Sequence, residues 1–176
     1  MPILTQRPFD TVLIAGGTHG NERTGIALVQ HWQQNSAEVT RGGFATRLLL
    51  ANPEAVRENR RFIDCDLNRS FRPAGAPADT AGPYERRRAR EIAAWIGSQS
   101  RGQRTFAIDL HTSTACMGVT LITDSAPLNL AVAAAVQDQV PEARIYSFPA
   151  GDRIHTCLRA AAHGGLGIEI GPIPQG

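Results

Sequence analysis

Short apolar runs alternate along this chain with stretches of helical periodicity, and that alternation limits the fold more than any other feature. Residues 11–15 (TVLIA) form an apolar run closed by Gly16-Gly17, a buried-strand pattern. Residues 22–34 place Ile26, Val29 and Trp32 at helical spacing. Further strands are predicted over 44–51, 105–110, 119–123, 144–148 and 166–170, and further helices over 84–96, 126–140 and 155–163. Strands alternating with helices predict an α/β domain, with a mixed, largely parallel central sheet flanked by helices. Residues 52–83 carry scattered Pro, Gly and charge and read as a long loop, a length that marks functional segments more often than connections. Glu85, Arg86, Arg87, Arg88, Arg90 and Glu91 read as solvated charge on the wet face of their helix.

Composition excludes several functions. The chain has 176 residues, enough for one domain with a sizeable core. Its formal net charge of +2 makes no case for a nucleic-acid partner. Every basic residue is Arg, so Schiff-base, P-loop and Ser-Lys chemistries are ruled out, while paired hydrogen bonds to carboxylates are favoured. Three widely spaced cysteines without a CxxC argue against a disulfide framework and fit a reducing compartment. The N-terminal stretch lacks the pattern of a signal peptide, and no apolar run nears the ~20 residues of a membrane span. A cytoplasmic protein without a membrane partner is expected, and a homo-oligomer is compatible with the composition. The chain stops directly after a strand, which predicts a catalytic domain over 1–176 that is incomplete at its C-terminus.

Four motifs carry chemistry. In GGTHGNE, between a strand and a helix, His19 and Glu22 stand three apart, and both are good Zn²⁺ ligands. The same spacing suits a helix cap with an acid in the first turn. In DLH, strand alternation puts Asp109 and His111 on one side, either as a polar pair at a strand end or as the completion of a His₂Glu set. The loop segment RRFIDCDLNR concentrates guanidinium groups and carboxylates. Arg pairs there could clamp an anion, and Asp66 could orient a metal-bound His, or the segment is simply solvated. In GIEIGP, Glu169 sits between isoleucines. Partial burial would raise its pKa and suit it to proton transfer; an outward-facing strand residue is the alternative.

In this order, GGTHGNE, IDCDLNR, DLHTS and GIEIGPIPQG resemble the aspartoacylase/succinylglutamate desuccinylase family of zinc hydrolases, which is related to the zinc carboxypeptidases. The resemblance runs from about Val12 to Gly176. It implies one Zn²⁺ per chain on His19, Glu22 and His111, Arg61 polarising the scissile carbonyl, and Glu169 as general base. It also implies Asn68 and Arg69 as the pair that holds a substrate carboxylate. Arg159 matches an arginine of the aspartoacylase branch that the aminoacylase 3 branch lacks, which tilts the expectation toward an acidic substrate. His155 stands where aspartoacylases place a substrate-contacting Tyr, and the resemblance leads to the expectation that the family's C-terminal β-rich domain is absent from these 176 residues. The implied reaction is hydrolysis of an N-acyl amino acid, first of all N-acetyl-L-aspartate, by zinc-activated water. Succinylglutamate desuccinylase, a broader deacylase, and a non-catalytic zinc- or anion-binding domain remain as alternatives.

Overall fold

A computed structural model describes residues 8–72, 82–99, 103–148 and 156–174. Six strands form one sheet: β1 (Thr11–Gly16), β2 (Ala45–Leu50), β3 (Thr105–Thr112), β4 (Gly118–Thr123), β5 (Arg144–Ser147) and β6 (Gly164–Gly171). Their spatial order is β2-β1-β3-β6-β4-β5. The first four of that order are mutually parallel, β4 runs antiparallel to β6, and β5 is parallel to β4. The mixed, largely parallel sheet expected from the alternation of elements is the sheet observed. Among the described residues no helix is long and apolar enough to cross a membrane.

Helices cover both faces. Helix α1 (Arg23–Gln34) packs on β1, β2 and β3, and α4 (Pro127–Gln139) packs on β4, β5 and β6. On the other face, α3 (Tyr84–Gln99) presents Ala89, Ile92 and Ile96 to Leu13 and Ala15 of β1 and Ala107 of β3. The opposite face of the sheet supplies Phe106 of β3 and Leu166 of β6, which pack with Leu121 of β4 and with Ala133 of α4. Burial of these apolar side chains, roughly 1.5–3 kcal/mol for each large one, drives the layering. Helix α1 lies unusually close to the sheet, because Gly16 and Gly25 face each other. A Cβ on Gly16 would come within 2.3 Å of the Gly25 carbonyl oxygen. This close approach sets the loop before α1 directly over the end of β3.

Three expectations need correction. Residues 52–83 are not all loop: Pro53–Arg57 form a short helix, α2, opened by Asn52, whose side-chain oxygen accepts from the Ala55 N–H. An Asn cap followed by Pro at the first helical position is a helix start, so the signal was local. The helix predicted over 155–163 is a single 3-10 turn, Leu158–Ala161. The chain is extended at Cys157 and again at Ala162, where it enters β6, leaving no room for an α-helix. Glu85 is not solvated but fully buried, and Arg88 donates to the carbonyls of Leu50 and Ala51.

Candidate metal centre and catalytic cleft

Parallel strands place their carboxyl ends together, and the centre forms there. In register, Gly16 of β1 lies beside Leu110 of β3, and His111 of β3 beside Glu169 of β6. After β1 the chain turns at Gly17, whose φ of +71° suits glycine, and runs through His19 to Glu22 at the start of α1. Glu22 makes no side-chain cap bond to its helix. Its carboxylate faces inward instead. Oε1 is 2.6 Å from His19 Nδ1, and Oε2 is 3.0 Å from His111 Nδ1 and accepts from the Thr112 N–H at 3.1 Å. All three side chains are buried, and one ligand atom from each lies within 4.8 Å of the others.

The outer ring nitrogens are equally committed. His19 Nε2 is 3.1 Å from Asp66 Oδ1, and His111 Nε2 is 2.8 Å from Asp109 Oδ2. Thr18 donates its hydroxyl to the other oxygen of Asp109 at 2.7 Å. Each imidazole thus faces a carboxylate at both nitrogens, yet a neutral imidazole carries one N–H. With no cation, both rings would need a second proton at Nδ1. A divalent cation replaces those two protons charge for charge and lets both rings donate Nε2–H to Asp66 and Asp109, the usual arrangement around a metal-bound His. The donor set therefore fits Zn²⁺.

The electrostatics agree. Burial opposes ionisation of Glu22, but hydrogen bonds from His111 and His19 outweigh it and hold its carboxyl down to about 2. Asp66 is likewise held to about 2: burial opposes ionisation, and His19, the Asn68 N–H and Arg61 overcome it. His111 is raised well above its ordinary value, since Asp109 and Glu22 outweigh burial, and His19 is raised by Asp66 and Glu22 against burial. Glu169, half-buried, is raised by burial first, with His111 pulling the other way.

A cleft of about 550 Å³ opens over this group. Arg61 reaches in from the loop, its Nη1 3.5 Å from Glu22 and its Nη2 3.7 Å from Asp66. Asn68 and Arg69 line the same cleft from the 3-10 turn Leu67–Arg69, which Asp66 caps by accepting from the Asn68 N–H. The Asn68 side-chain oxygen accepts from the Leu158 N–H at 3.3 Å, while exposed Arg69 folds back on the Asn68 carbonyl. Arg159 is buried at the far end. Its Nη1 donates to the Ile122 carbonyl, its guanidinium lies over the Phe148 ring, and its Nε has no partner among the described residues. It lies across Gly165, where a Cβ would come within 2.6 Å of Arg159 Cβ. His155 lies outside the described residues.

Thus His19, Glu22, Arg61, Asp66, Asn68, Arg69, His111, Arg159 and Glu169 meet at one site. Sequence reasoning left Asp109 and Thr18 unassigned, although strand alternation had put Asp109 on the His111 side. It also missed Glu85, whose signal was its spacing from Ala89, Ile92 and Ile96, which places it on the buried stripe of α3.

The sheet and its donor set define an α/β protein with a candidate metal centre at the carboxyl ends of its strands. The chain belongs to the succinylglutamate desuccinylase/aspartoacylase family: the model of that family's catalytic domain matches residues 8–175. It is 38% identical to a probable aspartoacylase of Acaryochloris marina over 94% of this chain and 56% of the relative. It is 38% identical to a human N-acyl-aromatic-L-amino acid amidohydrolase over 97% of this chain and 56% of that protein. Murine aminoacylase 3 superposes with a TM-score of 0.87 at 36% identity, covering 98% of this chain and 59% of that structure. The chain therefore spans a little over half the length of these relatives.

Proposed function

We propose that the protein hydrolyses the amide bond of N-acyl amino acids, with zinc held by His19, Glu22 and His111, and that N-acetyl-L-aspartate is its first substrate. The carrying observation is the buried His–Glu–His group with a carboxylate behind each ring and a half-buried Glu169 in register with His111. Zinc, when bound, would acidify a water and polarise the scissile carbonyl. Glu169 takes the proton of the attacking water and later delivers it to the departing amine nitrogen. Arg61 donates to the oxygen that gains charge, an interaction worth about 3–4 kcal/mol for a well-placed donor. Asp66 and Asp109 keep the two imidazoles oriented. The wide spacing of Cys65, Cys116 and Cys157, with no CxxC, supports a reducing, cytoplasmic setting.

Arg159 supports the acidic preference. A buried guanidinium whose Nε–H has no partner among the described residues is matched by a second carboxylate on the substrate, while Asn68 and Arg69 stand ready for the α-carboxylate. Phe148 and Ile122 line the same cleft and favour a second reading, an apolar N-acyl amino acid, in keeping with the name of the human relative. Arg159→Leu separates them. Loss of a charge-assisted hydrogen bond is expected to lower kcat/KM for N-acetylaspartate by about 10–100-fold. Neutral N-acyl amino acids should change by less than about threefold. Equal losses on both substrate classes would remove the acidic assignment.

The pH dependence follows from Glu169. Its carboxyl is raised from 4.5 by burial, so it keeps its proton to a higher pH than a free glutamate. A base must be ionised, so kcat/KM should fall on the acid side through a midpoint above 4.5. An acid limb with its midpoint at or below 4.5 would contradict that role.

A further inference from the structure

Glu85 is a fully buried carboxylate outside the cleft, a residue type that is almost never buried without compensation. Among the described residues it forms no ion pair. Four N–H donors satisfy it instead: Oε1 accepts from the Ile63 N–H at 2.6 Å and the Asn52 side-chain amide at 3.2 Å. Oε2 accepts from the Asp64 and Cys65 N–H groups at 3.0 and 3.1 Å. Three consecutive peptide N–H groups therefore converge on one carboxylate, an anion-holding backbone concavity filled from within the protein.

The segment so held lies between Arg61 and Asp66. The tie is reciprocal, because Asp64 accepts from the N–H of Tyr84, the first residue of α3. It also reaches the other loop of the site. Asn52 donates its own N–H to the Gly17 carbonyl, and the Gly20 N–H donates to the Arg61 carbonyl. One carboxylate on α3 thus braces both the loop that carries His19 and the loop that carries Arg61 and Asp66.

We propose that Glu85 is a positioning residue of the metal centre, fixing the backbone of residues 63–65 so that Asp66 stays on His19 Nε2 and Arg61 stays beside Glu22. This rests on the reading of His19 as a metal ligand. A glutamine at this position keeps the shape but turns an amide nitrogen toward peptide N–H donors, so the brace loosens. Aspartate keeps the charge on a shorter arm and should restore part of it.

The test is zinc affinity by chelator competition on Glu85→Gln, Glu85→Asp and the unaltered protein, at a temperature where circular dichroism shows each one folded. Glu85→Gln is expected to weaken zinc binding by about 10–100-fold, with Glu85→Asp in between. A change within about twofold in folded Glu85→Gln, even with a lowered Tm, overturns the proposal, because a merely structural role moves Tm and leaves affinity alone. If Glu85→Gln does not fold, Asp64→Ala, which removes the acceptor of the Tyr84 N–H, decides: a loss of about threefold or more supports the brace, and no loss overturns it. Zinc bound by the unaltered protein without any hydrolysis would sink the proposed function while Glu85 is still judged by affinity. No zinc bound at all would sink both.

Discussion

Glu169→Gln should retain one zinc per chain and lose turnover by about 10²–10⁴-fold, the range that a positioned acid–base group contributes. Glu169 is absent from the group of three that could hold the ion, so its loss leaves His19, Glu22 and His111 in place. Its burial raises its proton affinity, which suits a group that must accept a proton from water and return it to an amine. Glutamine keeps the volume and the strand pairing with His111 and Thr120, so folding is expected to survive. Metal content and kcat measured on one preparation check this. Turnover within about tenfold of the unaltered protein would remove Glu169 from proton transfer.

Glu22→Ala is expected to abolish both zinc retention and turnover. The single carboxylate lies within 3.0 Å of both Nδ1 atoms and accepts from the Thr112 N–H, and Arg61 lies beside it. Its removal deletes one of three ligands and leaves two buried imidazoles facing each other across 5.1 Å. Zinc affinity should fall by more than the ~10–100-fold that accompanies loss of an outer partner. Dialysis against a weak chelator followed by metal analysis reads the effect. Full zinc retention in Glu22→Ala would contradict the ligand assignment.

Local signals made part of this legible in the sequence. The apolar run before Gly16-Gly17 marked β1, and alternation placed Asp109 and His111 on one face. What joined them was not local. The β1–β3 and β3–β6 registers bring His19, His111 and Glu169 together from positions far apart in the chain, and spacing within any one motif is silent about that. Without the order of the four motifs, a cap or a strand-end contact fitted each pair better than a ligand set. Arg159 is harder still. Its burial depends on Gly165 leaving room and on the Ile122 carbonyl and Phe148 ring receiving the guanidinium. The helix expected around it shrank to one turn because the chain must be extended on both sides. Glu85 was misread because charge on a helix suggests solvent, whereas its stripe position and four donors argue the reverse.

The most direct test of the zinc-dependent deacylase assignment is a titration. The protein is stripped with chelator, zinc is returned in steps, and release of aspartate from N-acetylaspartate is followed together with release of amino acid from a neutral N-acyl substrate. Hydrolysis should be absent at the start, rise linearly, and level off at one zinc per chain, with the acidic substrate preferred. Hydrolysis that persists without metal, or a chain loaded with one zinc that releases no amino acid from either substrate, would contradict it.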